Sequence, residues 1–196
     1  MARPSLVRRE EAEAPDQRLG GLAPANRHAR QNRYSTMADG IEIERKFLVE
    51  QLPHDLDAHP YREIEQGYLA ITDDVEVRVR RYGDEAFLTI KSSGGESRVE
   101  EEIEIDRRRF SSLWPLTDGR RIEKRRYRIP AGDGLTLELD VYHGRLEGLL
   151  TAEVEFGSVD AAGDFVPPDW LGPDVTDDPR YKNKRLATDG LPPGPR

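Results

Sequence analysis

The segment GIEIERKFLV, Gly40–Val49, decides the fold. Read with a period of two, it sets Glu42, Glu44 and Lys46 on one side of a strand. Ile41, Ile43, Phe47 and Val49 fall on the other side, with Arg45 the exception. Two like charges then stand about 7 Å apart on one face, followed directly by an opposite charge. On a solvated face this spacing carries no meaning. Facing a cavity, it makes a site for a metal and an anion.

The same alternation recurs downstream. EIEQGYLAI, DVEVRVRRYG, EAFLTIKS, SRVEEEIEID, RRIEKRRYRIP, GLTLELDVYHG and LLTAEVEFGS read as seven further strands, joined by turn residues such as Gly83-Asp84 and Gly94-Gly95-Glu96. Residues 107–115 fit a short helix ended by Pro115, LPHDLDAHPYRE a connection with a helical turn, and VDAAGDF and YKNKRLAT short terminal helices. The expectation is a mainly β (α+β) protein. Its core would be an eight-stranded antiparallel closed β-barrel, a tunnel, with short helices packed outside.

The polar faces are ordered by sign. Glu76, Arg78 and Arg80 oppose valines; Lys91 follows Phe87 and Thr89; Arg98, Glu100 and Glu102 oppose Val99, Ile103 and Ile105. Lys124 and Arg126 share a side, Glu138 and Asp140 oppose leucines, and Glu153 and Glu155 oppose Ala152, Val154 and Phe156. Like charges segregated this way repel one another on folding. That cost makes sense when a divalent cation and a polyanion complete the neutralisation. Arginine and lysine suit phosphate oxygens, and carboxylates suit a hard, oxygen-ligated cation. An eight-stranded barrel has room for such a guest.

Composition narrows the chemistry. The 196-residue chain is 36% hydrophobic and 35% charged, with net charge −8, which argues against a nucleic-acid partner. It has no cysteine, and His28, His54, His59 and His143 are scattered, so any metal is held by oxygen, which indicates Mg²⁺ or Mn²⁺. No apolar run reaches membrane-spanning length and no signal-peptide core is seen, so a cytoplasmic protein without a membrane partner is expected. Residues 1–36 read as a disordered N-terminal extension, or as sequence upstream of a true start at Met37; 37–188 form the domain and 189–196 a flexible tail.

In order along the chain, E-x-E-x-K at Glu42, Glu44 and Lys46, then QGYL, VRVRR, LTIKS, SRVEEEIEID, GRRIEKRRY, LELDVY, AEVEF and RYKNKRLA, resemble the CYTH-domain proteins, also called triphosphate tunnel metalloenzymes. The resemblance covers roughly residues 40–188 and is strongest to bacterial inorganic triphosphatases. It implies metal-dependent hydrolysis of tripolyphosphate to pyrophosphate and phosphate, by a monomer or homodimer. It further implies Glu42, Glu44, Glu153 and Glu155 as metal ligands, with Glu100, Glu102 and Asp140 as further candidates. Lys46, Arg78, Arg80, Lys91, Arg98, Lys124, Arg126 and Lys182 would bind substrate, and Lys46, Tyr68 and Lys91 would act at the reacting phosphate. Arg125 is expected at the surface. A class IV-type adenylate cyclase, a thiamine triphosphatase and a non-enzymatic polyphosphate- or nucleotide-binding module are the competing readings.

Overall fold

A computed structural model of the chain describes residues 43–92 and 99–193. Nine strands form one antiparallel sheet: β1 (Ile43–Val49), β2 (Tyr61–Ile71), β3 (Val75–Tyr82), β4 (Glu85–Ser92), β5 (Glu100–Ile105), β6 (Arg121–Pro130), β7 (Thr136–Tyr142), β8 (Leu150–Phe156) and β9 (Leu171–Asp174). The order is β5-β4-β3-β2-β6-β7-β8-β1-β9. The helices are α1 (Arg107–Leu113), α2 (Val159–Asp164) and α3 (Asn183–Asp189). None among the described residues is long and apolar enough to cross a membrane.

Three expectations are corrected. The sheet has nine strands rather than eight, and it does not close into a barrel. Closure would join β5 to β1, but the outer edge of β1 is taken by β9, with Phe47 opposite Asp174 and Val49 opposite Leu171. Pro173 in β9 has no N–H to offer a further strand. Pro115 also does not end its helix. It sits in the first turn of a 3₁₀ segment, Trp114–Thr117, that continues α1, a position where its missing donor costs nothing.

The strand register sorts side chains onto two faces. One is apolar: Phe47, Val49, Leu137, Leu139, Val154 and Phe156 are buried there against Ala162 and Phe165, in and just after α2. Farther along the same face, Val79 and Ala86 pack on Phe110 of α1, whose N-cap Asp106 accepts from the Arg109 amide. Gly67 lets this helical insert dock, because a Cβ there would overlap the Thr117 side chain. The opposite face is the charged one. At one end it is sealed by Tyr68, Ile122, Tyr142, Tyr181, Leu186 and Ala187, which bring the 3₁₀ turn Pro179–Tyr181 and α3 down onto it. Residues 1–42, including the leader expected over 1–36, lie outside the described residues. Within the expected tail, Arg180 donates to the Pro193 carbonyl.

Candidate active site

The charged face is the inner one. Lys46, Gln66, Thr89, Lys124, Asp140 and Thr151 are each no more than 6% exposed and all lie on it; of the buried polar residues described, only Thr117 does not. Register explains their convergence: Lys46 stands opposite Glu153, Lys124 opposite Tyr142, Arg126 opposite Asp140, Tyr68 opposite Arg78 and Gln66 opposite Arg80.

A buried ionic network occupies the centre. Lys124 donates to Asp140 at 2.5 Å, and Arg126 donates to both Asp140 oxygens at 2.7 and 2.6 Å. Arg126 also donates to Glu138 and, across an intervening strand, to Glu153 at 2.7 Å. Lys46 pairs with the other Glu153 oxygen at 2.8 Å. Burial works to raise the Glu153 pKa, but the attraction of Arg126, Lys46 and Lys124 outweighs it and holds the carboxyl well below the usual range. Burial likewise opposes the Lys46 charge, and the surrounding oxygens of Tyr142, Glu153 and Asp140 more than offset it, leaving its pKa raised.

Beside this network the cations are in excess. Burial and the neighbouring Arg78 and Arg126 hold the Arg80 pKa below its ordinary value, with Glu102 only partly compensating. Arg80 donates to Glu102 at 3.1 Å, yet the Nε atoms of both Arg78 and Arg80 are buried with no acceptor among the described residues. The other buried, unpartnered side-chain atoms among the described residues are Tyr142 Oη, Thr151 Oγ1 and Asn183 Oδ1; Tyr142 and Thr151 are on this face, and Asn183 begins the helix that covers its end. Buried polar groups without partners are rare in folded proteins. Of these atoms the two guanidinium donors, with the Tyr142 and Thr151 hydroxyls, are the ones that can donate to an oxyanion.

The expected site residues divide accordingly. Lys46, Tyr68, Arg78, Arg80, Lys124, Arg126, Asp140 and Glu153 come together on the inner face. Glu44 faces Glu155 directly across β1 and β8 at its more exposed end. Lys182 approaches Glu44 at 3.9 Å, while Lys184, not singled out from the sequence, pairs with Glu76. Lys91 pairs with Glu100 at 2.8 Å on the exposed β4–β5 arm, where Glu102 also lies. Glu42 and Arg98 fall outside the described residues. Arg125 is on the opposite face, paired with Glu63 at 2.8 Å. Sequence reasoning places Glu138 and Thr89 on this face without giving them a role and passes over Gln66 and Thr151, although the same period of two places each there.

Among the described residues no group of three or more His, Asp or Glu side chains is set to hold a metal ion. Asp140 is committed to Lys124 and Arg126 through both oxygens. Glu153 is likewise engaged through both oxygens, by Lys46 and Arg126. The directly opposed Glu44–Glu155 pair is the arrangement that a bound cation relieves.

Known proteins place this architecture. A curated inorganic triphosphatase from Nitrosomonas europaea is 55% identical over 148 residues, spanning 74% of this chain and 96% of that protein. Another from Acetivibrio thermocellus is 40% identical over 156 residues, 76% of this chain and 94% of the relative. A crystal structure of an inorganic triphosphatase, 48% identical, superposes with TM-score 0.65 over 79% of this chain and 97% of that one. Residues 40–163 match the CYTH domain, and the chain belongs to that family.

Proposed function

We propose that this protein hydrolyses inorganic tripolyphosphate to pyrophosphate and orthophosphate, in the cytoplasm, with Mg²⁺ or Mn²⁺. The observation that carries the reading is the crowding of Arg78, Arg80 and Arg126 on one buried face with two unpartnered Nε donors. Such a face suits a compact polyanion. The likeness to relatives named inorganic triphosphatase supports the same substrate.

In this reading Lys46, Arg78, Arg80, Lys124 and Arg126 grip the phosphate oxygens and offset the charge that develops on the leaving bridge oxygen. Glu44, Glu153 and Glu155, with Glu42, are the proposed metal ligands, and a bound metal supplies Lewis-acid polarisation of the phosphoryl oxygens. Lys91 and Lys182 extend the cationic lining, Arg98 is proposed as a further phosphate-binding residue, and Glu100 and Glu102 restrain the lining from the β5 side. Water attacks the terminal phosphorus and the bridging P–O bond breaks. Burial pushes the Tyr68 hydroxyl up to about 12, so it stays protonated near neutrality and serves as a donor.

Phosphate release from tripolyphosphate, ATP and thiamine triphosphate, with and without chelator, tests the proposal. Release from tripolyphosphate that chelator abolishes and Mg²⁺ or Mn²⁺ restores is the expected result. Comparable or faster turnover of ATP, or cyclic AMP as a product, would overturn it.

A further inference from the structure

We propose that Gln66 is a positioning residue for this reaction, one that holds the Tyr68 hydroxyl so that its proton is directed at a phosphate oxygen. The inference rests on the tripolyphosphatase reading and adds to it a residue that binds no substrate itself.

Gln66 and Tyr68 are neighbours on the inner face of β2, 3% and 2% exposed. Gln66 Nε2 donates to Tyr68 Oη at 3.2 Å. The direction of that bond matters. A phenol has one proton to donate and an oxygen that accepts. With the oxygen taken by Gln66, the proton is left for another partner. The surroundings favour this polarity, because Arg80 opposes Gln66 and Arg78 opposes Tyr68 across β2 and β3. Guanidinium groups only donate, so Arg78, which acts on the hydroxyl beside Gln66, also takes its oxygen as an acceptor and does not claim its proton.

The carboxylate that acts on Tyr68 is Glu76, and it is engaged by Lys184 of α3. The proton is therefore not claimed from that side. The buried hydroxyl resists ionisation, its pKa raised to about 12 by burial, which keeps it a donor throughout the working range. Gln66 is also an expensive residue to bury unless its amide is used. An apolar side chain would fill the same space between Arg80 and Ile122, its neighbours on β3 and β6. Orienting Tyr68 is the use the structure shows for it.

The test is a double-mutant cycle on the full chain, read as kcat and KM for tripolyphosphate with Mg²⁺. Gln66→Met keeps the volume and removes the donor. It is expected to lower kcat about tenfold, the worth of one well-placed hydrogen bond, with KM changed less than about twofold. In a Tyr68→Phe background the same substitution should cost nothing further, because its effect runs through the hydroxyl. Gln66→Glu supplies only acceptors in place of the donor, turns the Tyr68 proton away from substrate, and should be slower than Gln66→Met. Additive losses in the double variant would overturn the inference while leaving the tripolyphosphatase reading intact. So would Gln66→Glu at or above parent activity, or a Gln66→Met variant whose melting temperature falls while kcat per folded molecule holds. A parent protein that releases no phosphate from tripolyphosphate would instead overturn the functional reading, and this inference with it.

Discussion

Asp140 is fully buried and accepts from Lys124 and from two nitrogens of Arg126, so replacing it with asparagine leaves two buried cations short of a counter-charge. Breaking such a pair costs far more than the pair contributes. Asp140→Asn should lower unfolding free energy by about 3 kcal/mol in urea titrations. A loss under about 1 kcal/mol, the scale of exposed pairs, would show that water screens this network. Arg125→Ala is the contrasting case: its Glu63 pair lies on the opposite face and is partly exposed, so stability should change by no more than about 1 kcal/mol and phosphate release not at all. Glu153 links the network to pH. Its folded pKa is held below the ordinary 4.5, so its contribution is present above that value and is lost as pH falls through the folded one. Glu153→Gln should therefore be clearly less stable than the parent near neutrality, the gap narrowing as pH drops below about 4. A gap that stays constant, or widens in acid, contradicts the ion-pair assignment.

At the scale of elements, the 3₁₀ turn at Pro179–Tyr181 and α3 form the seal over one end of the inner face. Lys182 reaches Glu44 on β1 and Lys184 reaches Glu76 on β3, while Leu186, 1% exposed, belongs with Tyr68 and Tyr142 to the cluster beneath. Leu186→Ala raises local helix propensity slightly but opens a cavity, and cavity terms dominate, so a loss of about 2–4 kcal/mol is expected in the same titrations. A change near zero would mean that α3 is not seated. The existence and nearly the bounds of β1 to β8, and of all three helices, are legible in the sequence because each carries its own period and flanking turn residues. β4 coincides with EAFLTIKS to the residue. β9 is not legible: LGPD is four residues long with both Gly and Pro, and only the open edge of β1 makes it a strand. Face membership of the site residues follows from the period of two, hence Lys46, Lys124, Arg126 and Glu153 are found. Which carboxylates are spent on internal ion pairs, as Asp140 and Glu153 both are, is not legible, because cross-strand neighbours decide it. Gln66 escapes notice because a neutral side chain does not stand out in a search for charge.

For the whole molecule, the strand order decides what the ligand must do. With β9 on the edge of β1, β5 has no further partner strand among the described residues and its glutamates Glu100, Glu102 and Glu104 remain exposed, charges that also discourage edge-to-edge association. Among the described residues the inner face is thus open along one side, and its crowded arginines are compensated only in part. Substrate binding should therefore be visible as stabilisation of the whole domain. With tripolyphosphate and Mg²⁺ at about 100 times the dissociation constant, linkage gives about 2.7 kcal/mol, or roughly 5–10 °C in melting temperature for a domain of this size. Chelator should remove part of that shift, and orthophosphate at equal concentration should give much less. Arg80→Met sharpens the test. Burial and its cationic neighbours already disfavour the Arg80 charge, so without ligand the variant should melt within a few degrees of the parent (about ±0.5 kcal/mol). With tripolyphosphate it should lose most of the stabilisation. Scanning calorimetry of both proteins across a ligand titration decides the matter: an equal ligand shift in parent and variant, or none in the parent at saturation, would place the triphosphate away from the inner face.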